Sequence, residues 1–346
     1  MAMDIANIDD PIISVVIPVF NSAGSIARAL GSVFSQGMHG LEVIVVDDGS
    51  SDTVHLKRAL APYLPRIVYV EQRNAGPASA RNHGIRRARG KYVAFLDSDD
   101  FWFPTHLRRQ MQLFENDQTL GLTFANCLLL QGDIPIGTSF TLAPQASFVT
   151  LDSLLREDCR IGTSTVVATR QSLIAAGLFD ENLRRCEDFD LWLRMAHNGV
   201  RMAYSSEIQV CHRRGNGLAA SCMLMKRARI AVYKKVASRL SITPEQRRVI
   251  EHKIATGEAE YQIDLAKAAL LEQNYSQALL AAQKANRTVP SWKLELAVRG
   301  LRSAPNLFLR SYRAYEQVLD VRNRGRNILR MKGLESYAGF ALQKGS

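Results

Sequence analysis

Short apolar runs alternate with polar, helix-forming stretches over the first 130 residues of the chain. The apolar runs predict strands at residues 12–20, 41–46, 66–71 and 91–96. The stretches between them predict helices at residues 23–35, 52–60 and 77–89. Strands that alternate with helices form β-α-β units, so we expect an α/β fold with a largely parallel sheet.

The pattern is looser after residue 101. It predicts, in order, a helix at 104–115, a strand at 122–130, a strand at 162–169, a helix at 189–198 and a strand at 202–212. A turn at 131–133 and a polar stretch to residue 150 separate the first two of these strands. We place a domain boundary in the loop 213–217, which gives domains of residues 1–215 and 216–346.

The region after the boundary reads as helices, because it is rich in Ala, Leu, Lys, Arg and Gln. One segment has the spacing of a tetratricopeptide-type helical hairpin, with small and apolar residues at Leu265, Ala266, Tyr275, Ala278, Ala282, Ala285 and Pro290. Such repeats need about three copies to bury a core by themselves. We therefore expect one hairpin that packs on neighbouring helices, not an array.

Composition agrees with a soluble globular class: the chain has 346 residues, of which 47% are hydrophobic and 22% charged. No apolar run approaches the roughly 20 residues that a bilayer span needs. Residues 1–10 carry acids where an export signal would carry basic and apolar residues. The five cysteines form no C-x-x-C pair, and we read them as small buried residues. These features predict a cytoplasmic protein.

The net charge of +11 is concentrated in the second region. Residues 1–215 contain 21 Lys and Arg against 23 Asp and Glu, whereas residues 216–346 contain 23 against 10. In this region four apolar residues form one helical stripe, namely Phe308, Tyr312, Tyr315 and Leu319. A basic cluster follows the stripe and comprises Arg322, Arg324, Arg326, Arg330 and Lys332. Peripheral contact with an anionic membrane and an ordinary bundle helix both fit this pattern. No nucleic-acid reader motif accompanies the charge, so we expect no nucleic-acid partner.

Acidic or polar motifs follow the second, third and fourth predicted strands, at the sheet edge where open α/β folds bind ligands. Asp97 and Asp99, one residue apart at a strand end, offer two hard oxygen ligands for Mg²⁺ or Mn²⁺. A solvated acidic turn is the alternative. An ion held by two carboxylates keeps positions for substrate phosphates, which favours a nucleotide-diphosphate ligand.

Glu187 and Asp188 stand at the head of a predicted helix. A carboxylate there can act as the general base toward an incoming hydroxyl, or can simply stabilise the helix start through the helix dipole. The dehydrogenase fingerprint G-x-G-x-x-G and the P-loop motif are absent from the sequence. A receiver domain is excluded because the paired acids Asp47 and Asp48 follow the second strand instead of the first.

Five motifs in order resemble the family 2 glycosyltransferases of the A-type fold. They are SVVIPVFN at 14–21, VVDDGSSD at 45–52, NAGPASARNHG at 74–84, FLDSDD at 95–100 and EDFDLWLR at 187–194. The resemblance covers about the first 215 residues and does not extend into the basic region. It implies a nucleotide-diphospho-sugar transferase domain with a Rossmann-like, mostly parallel sheet, followed by an all-α region.

The resemblance also implies roles for single residues. Asp48 matches the acid that binds the donor base, Asp97 a contact to the donor ribose and sugar, and Asp99 the principal metal ligand. Asp188 matches the catalytic base, with Glu187 beside it on the acceptor side. The other implied site residues are Pro18, Val19, Asn21, Gly76, Arg81 and Ser98 at the donor nucleotide, and His212 at the metal or diphosphate. A solvent-facing His212 is the alternative for that position.

The resulting hypothesis is an inverting, metal-dependent hexosyltransferase that uses a nucleotide-sugar donor, with UDP expected, and a saccharide or glycolipid acceptor. We expect a role in surface polysaccharide or glycolipid assembly, in the cytoplasm or on the inner face of the membrane. The sequence lacks the Q-x-x-R-W element of processive polymerases. An inactive sugar-nucleotide-binding scaffold and a sugar nucleotidylyltransferase are the alternatives, and the second lacks its Gly-rich basic loop after the first strand.

Overall fold

A computed structural model describes residues 10–132, 134–142, 149–214 and 218–317 of the chain. The described residues form two compact units, which divide after residue 216. The strands of the first unit are β1 Ile13–Val19, β2 Leu41–Asp47, β3 Val68–Glu71, β4 Tyr92–Phe95, β5 Phe101–Trp102, β6 Leu120–Gln131, β7 Ile134–Thr138, β8 Val167–Thr169 and β9 Arg201–Arg214. Its helices are α1 Ile26–Phe34, α2 Thr53–Leu60, α3 Pro77–Arg87, α4 His106–Asn116, α5 Ser139–Leu142, α6 Leu151–Arg156, α7 Arg170–Ala175 and α8 Glu187–His197.

The strands form one mixed sheet in the order β3-β2-β1-β4-β8-β6-β9-β5, and β7 pairs with β6. The half that begins at β3 is parallel as far as β4, so the carboxyl ends of β1, β2 and β4 meet at one edge. Every residue of β1 is buried, as expected for a parallel strand that is covered on both faces. This edge is the one at which the predicted acids stand.

The two faces of β1 are covered by different helices. Ile13, Val15 and Ile17 belong to an apolar cluster that includes residues of α1, α2 and α4. Val16 points the other way, toward α3, where a Cβ added to Gly84 would lie 2.3 Å from a methyl group of Val16. Only glycine allows α3 to lie this close to β1, and this contact places the amino end of α3 beside the carboxyl edge of the sheet.

The structure corrects several predicted boundaries. The strand predicted at 162–169 is a 3₁₀ turn at Thr163–Thr165 followed by the short β8, because Gly162 accepts hydrogen bonds from Thr165. The polar stretch after residue 133 contains β7 and α5, which the pattern did not reveal. The loop predicted at 213–217 begins inside β9.

The second unit consists of helices in the part of it that the structure describes. These are α9 Leu218–Arg239, α10 Pro244–Leu271, α11 Tyr275–Thr288, α12 Trp292–Ser303 and a further helical stretch at 305–317. Thr243 caps α10 through a reciprocal pair of hydrogen bonds with Gln246. No helix among the described residues is long and apolar enough to cross a membrane.

The helices from α10 onward share one small apolar core. Ala269 and Leu270 of α10 pack with Ala278 and Ala282 of α11, together with Val298, Leu301 and Leu309. Phe308 and Tyr312, two members of the predicted stripe, pack against this core, whereas Tyr315 is 58% exposed. The remaining members, Leu319, Arg322, Arg324, Arg326, Arg330 and Lys332, lie outside the described residues.

Candidate active site

A cleft of about 430 Å³ lies at the carboxyl edge of the parallel strands. Eight of the predicted site residues line it, namely Pro18, Val19, Asp48, Gly76, Arg81, Asp97, Ser98 and Asp99. The structure adds Arg184, an exposed side chain before α8 that the motifs did not indicate, to the same lining. The cleft therefore combines carboxylates with a guanidinium group.

Asp48 holds the loop that follows β3. Its Oδ1 accepts hydrogen bonds of 2.8 Å from Gln72 Nε2 and from the backbone N–H of Ala75, and its Oδ2 accepts one from Gly76. A carboxylate has about four acceptor positions, so one on Oδ2 is left for a ligand. Gly76 has φ +94°, a left-handed backbone that favours glycine, and this turn leads into α3.

Asn21 has a different surrounding from the other predicted donor residues, and it is not among those that line the cleft. Its side-chain oxygen accepts hydrogen bonds from the N–H and hydroxyl of Ser51, and its own N–H donates to Ser50. These bonds join the loop after β1 to the loop after β2. A donor contact by Asn21 stays a prediction.

Arg81 is buried and bridges two carboxylates. One terminal nitrogen of its guanidinium donates to Glu187 Oε1 at 2.7 Å, and the other donates to Asp97 Oδ1 at 2.6 Å. Although burial disfavours the charged form, Asp97 and Glu187 hold the pKa of Arg81 above its ordinary value. Arg81 thus ties α3 to the end of β4 and to the start of α8.

The neighbouring Asn82 fixes the segment that leads into α8. Its amide donates to the carbonyl of Phe179 at 2.8 Å and accepts from the N–H of the same residue at 2.9 Å. Arg194 of α8 donates to Asp190 and to the carbonyl of Leu178, and so holds the other side of this segment. Glu187 and Asp188 therefore stand in a fixed first helical turn, two residues earlier than the pattern predicted for the helix start.

The two acids at the start of α8 differ in their surroundings. Glu187 is buried, and burial raises its pKa even though Arg81 opposes this shift. Asp188 is half-buried; its Oδ2 accepts a hydrogen bond of 2.9 Å from Thr163 and its Oδ1 one of 2.7 Å from the N–H of Phe189. Glu187 is thus committed to Arg81, while Asp188 keeps acceptor capacity and access to solvent.

Asp100, to which the sequence pattern assigned no role, contacts His212, one of the predicted metal-site residues. It is fully buried, and its Oδ2 accepts from Ser164 at 2.6 Å and lies 3.0 Å from His212 Nδ1. Asp100 raises the pKa of His212 to about 9, so the imidazole is protonated at neutral pH. His212 is therefore an ion-paired residue with Nδ1 occupied, and only Nε2 is left for a ligand.

Asp99 is exposed, but its carboxyl group lies in the concave cleft. Desolvation there, together with repulsion from Asp100 and Asp97, raises its pKa to about 6. Its carboxylate has no hydrogen bond or ion pair to another of the described side chains. No group of three or more His, Cys, Asp or Glu within the described ranges could hold a metal ion by itself. A single free carboxylate beside two others fits an ion that substrate phosphates would help to hold.

Comparison with known proteins identifies the family. Residues 14–127 match the profile of Glycosyl transferase family 2. TuaG of Bacillus subtilis (strain 168), a glycosyltransferase assigned to teichuronic acid biosynthesis, is 33% identical over 192 residues, which are 55% of this chain and 73% of TuaG. The chain belongs to family 2 of the glycosyltransferases, and the predicted family is confirmed.

Other relatives differ in the share of their length that the match covers. An uncharacterized glycosyltransferase of Rickettsia bellii (strain RML369-C) is 33% identical over 208 residues, which are 60% of this chain and 29% of that protein. The matches to three such rickettsial relatives cover only 29 to 33% of their length. The Escherichia coli protein WfgD, named as a UDP-Glc:α-D-GlcNAc-diphosphoundecaprenol β-1,3-glucosyltransferase, is 32% identical over 54% of this chain and 70% of its own.

Solved structures establish the fold. S. aureus TarS 1–349 in complex with UDP-GlcNAc has a TM-score of 0.60 at 17% identity, over 88% of this chain and 91% of that one. The mannosyltransferase PcManGT of Pyrobaculum calidifontis, in complex with GDP-Man and Mn²⁺, has a TM-score of 0.59 at 20% identity, over 94% and 89%. The predicted fold class, an A-type domain followed by a helical region, is confirmed.

Proposed function

We propose that the chain is an inverting, divalent-metal-dependent hexosyltransferase that moves a sugar from a nucleotide-diphosphate donor to an acceptor hydroxyl. The observation that carries this proposal is the single cleft that contains Asp48, Asp97, Asp99 and Arg184. Its volume, about 430 Å³, is in the range of small-molecule sites. Carboxylates for a metal ion and a guanidinium for phosphate oxygens are the groups that a sugar diphosphate needs.

We propose a UDP-sugar as the donor and a saccharide or glycolipid as the acceptor. WfgD is named for UDP-glucose and a diphosphoundecaprenol-linked acceptor, and TarS was solved with UDP-GlcNAc, whereas PcManGT was solved with GDP-mannose. TuaG is named for teichuronic acid biosynthesis. These names support a role in surface polysaccharide or glycolipid assembly.

The described residues fit Mn²⁺ or Mg²⁺ because Asp99 offers a carboxylate without a protein partner and Asp97 lies two residues before it. A divalent ion there would supply Lewis-acid stabilisation of charge on the departing diphosphate. Asp100 occupies Nδ1 of His212, so only Nε2 of this imidazole is left to donate to a diphosphate oxygen. Arg184, which lines the same cleft, would neutralise part of the diphosphate charge.

In this proposal Asp188 is the general base, and Glu187 is a positioning residue. Asp188 accepts the proton of the acceptor hydroxyl as the oxygen attacks the anomeric carbon, and the bond to the diphosphate oxygen breaks on the opposite side. A single displacement of this kind inverts the configuration. Glu187 is buried and its Oε1 is paired with Arg81, so it is the poorer candidate for the base; it holds Arg81 and so the donor side of the site.

We also propose that residues 1–215 are the catalytic domain and that 216–346 form a basic helical region with one tetratricopeptide-like hairpin. The division of the described residues into two compact units supports this assignment. UDP with Mn²⁺ should raise the unfolding temperature of one calorimetric transition and leave the other unchanged, because a ligand stabilises only the domain that binds it. One shared, equally shifted transition would contradict independent domains.

We further propose that the protein works in the cytoplasm and touches the inner face of the membrane through its helical region. Trp292, Leu296 and Leu307 are 70%, 55% and 65% exposed, and Lys293 stands beside Trp292. Tryptophan and basic side chains are favoured at membrane interfaces. The full chain should co-sediment with anionic vesicles at low salt, and Trp292→Ala should weaken this; equal recovery with neutral vesicles would contradict an anionic interface.

Isothermal titration with UDP, GDP and TDP, each with Mn²⁺ and with chelator, tests the main proposal. We expect UDP to bind only with Mn²⁺, and donor turnover with an acceptor to give a product of opposite anomeric configuration by NMR. Metal-dependent binding without transfer to any acceptor would favour the inactive scaffold. Formation of a sugar nucleotide from a sugar phosphate and UTP would instead indicate a nucleotidylyltransferase.

A further inference from the structure

A second cavity, of about 560 Å³, lies wholly within the helical unit, between α9, α10 and α11. Helices of a bundle normally meet through apolar side chains, but four basic side chains line this cavity. They are Arg227 and Lys234 from α9 and Lys284 and Arg287 from α11. The proposed transfer reaction uses none of them.

The charges around this cavity do not cancel. Glu258 is the one acid in its lining, and Lys234 Nζ neutralises it at 2.7 Å from Oε1. Within the described residues no carboxylate lies within ion-pair distance of Arg227, Lys284 or Arg287. Three positive charges therefore line one concave site without a counter-charge from the described part of the chain.

The walls of the cavity are built from both apolar and polar groups. The guanidinium of Arg227 lies 5.8 Å from the ring centroid of Tyr261, a contact that orients it. Gly257 allows α9 and α10 to approach, since a Cβ there would lie 3.1 Å from Ile230, a residue of the wall. The side-chain oxygen of Gln262 is buried and has no hydrogen-bond partner in the described part of the chain.

We propose that this cavity binds a phosphate-bearing ligand, with a diphosphate group as the species that matches its charge. Arginine presents a planar fork that pairs with two phosphate oxygens, and lysine adds a mobile point charge. A diphosphate carries several negative charges and so compensates three cations better than a carboxylate does. The unpartnered side-chain oxygen of Gln262 is an acceptor, so it can bond a hydroxyl or N–H of the group that carries the phosphate, but not a phosphate oxygen. The group can belong to a soluble phosphate ester or to a lipid headgroup.

Titration of the full chain with inorganic pyrophosphate, in chelator and at low salt, tests this proposal. Lys284→Gln/Arg287→Gln removes two exposed cations of the cavity, and Arg299→Gln/Arg302→Gln on α12 removes the same charge elsewhere. We expect the first double variant to raise Kd by at least about 10-fold, because it removes two cations that would form charge-assisted hydrogen bonds with the phosphate oxygens. The α12 variant should bind as the wild type does.

Three results would overturn the proposal. The wild type could fail to bind pyrophosphate, or both double variants could lose affinity equally, which would indicate a general charge effect. Loss of binding in Arg184→Gln but not in Lys284→Gln/Arg287→Gln would place the anion in the donor cleft instead. Because chelator removes metal-dependent donor binding, failure here is distinguishable from failure of the proposed transferase activity.

Vesicles distinguish the two sources of the phosphate. The same variants are compared on phosphatidylcholine vesicles with and without phosphatidic acid, with free pyrophosphate as competitor. If Lys284→Gln/Arg287→Gln weakens both pyrophosphate and vesicle binding, the ligand is a lipid headgroup; if it weakens only pyrophosphate binding, the ligand is a soluble phosphate ester. Loss of vesicle binding with unchanged pyrophosphate binding would contradict a phosphate-specific cavity.

Discussion

Arg81 and Glu187 are 106 positions apart in the sequence, yet the guanidinium of Arg81 donates a 2.7 Å hydrogen bond to Glu187. The same guanidinium donates to Asp97, which follows β4. One buried cation therefore sets the distance between the start of α8 and the D-x-D turn. If Asp188 is the base and Asp99 binds the metal ion in the proposed reaction, Arg81 fixes the position of the base relative to the donor.

Arg81→Lys keeps the positive charge but replaces the planar guanidinium, with its two terminal nitrogens, by a single ammonium group. One of the two carboxylates therefore loses its partner. We expect the free energy of unfolding to fall by about 1.5 to 3 kcal/mol and kcat to fall more than KM rises. Chemical denaturation and steady-state kinetics measure the two effects. Arg86→Lys, on the same helix but exposed and paired with Glu181 at 3.4 Å, is the matched control and should change neither.

Asp99→Asn tests the metal site. The neutral amide should remove the Mn²⁺ dependence of UDP binding, because among the described residues of the cleft Asp99 alone offers a carboxylate without a side-chain partner. Titration of UDP with Mn²⁺ and with chelator measures this, with Asp117→Asn, a surface carboxylate paired with Arg201, as the control. Unchanged metal-dependent binding in Asp99→Asn would rule out this residue as the ligand.

Asp188→Asn and Glu187→Gln distinguish the base from the positioning residue. Loss of a general base lowers turnover by about 10²- to 10⁴-fold, and donor affinity should remain because Asp188 does not line the donor cleft. Glu187→Gln should instead lower stability and weaken donor binding through Arg81. A pH profile of kcat that keeps its acidic limb in Asp188→Asn would assign the base elsewhere.

Arg184→Ala removes the guanidinium that the motifs missed. If it pairs with the donor diphosphate, KM for the donor should rise by about 10- to 100-fold while stability stays constant, because the side chain is exposed. Arg185→Ala changes the adjacent exposed arginine, which does not line the cleft, and serves as the control. Equal effects of the two variants would contradict a specific diphosphate contact.

Glu42 links stability to pH at the opposite edge of the sheet. Burial alone would raise its pKa, but hydrogen bonds from the Arg89 N–H, the Ser14 hydroxyl and the Arg89 guanidinium outweigh burial and lower the pKa from 4.5. A lowered folded-state pKa stabilises the protein above the unfolded value, and this contribution is lost as pH falls through the folded value.

Glu42→Gln should therefore lower the free energy of unfolding at pH 7 by about 1 to 3 kcal/mol and flatten its decline below pH 5. Urea denaturation at several pH values measures both effects. Glu71→Gln, an exposed acid paired with Lys57, should stay within about 0.5 kcal/mol of the wild type. A pH slope in Glu42→Gln identical to that of the wild type would contradict the linkage.

The sequence motifs predicted more of the candidate site than the secondary-structure pattern did. Asp48, Asp97 and Asp99 could be placed at one edge because parallel strands bring their carboxyl ends together. The strand pattern failed at Gly162, where local hydrogen bonds of Thr165 favour a 3₁₀ turn, and at β7, which contains Pro135 and Gly137. Short-range side-chain bonds such as that of Thr165 override an apolar pattern, whereas Pro135 and Gly137 are residues that strand patterns disfavour.

The sequence by itself determined the family, the alternation of strands and helices from β1 to β4 and the charge difference between the two regions, since these depend on local spacing and composition. Only the tertiary structure decided that Glu187 is committed to Arg81, that Asp100 holds His212, that Arg184 joins the cleft and that four basic side chains of the helical unit line a cavity. These pairings join residues far apart in the chain, and no local pattern specifies which distant charge a side chain will meet.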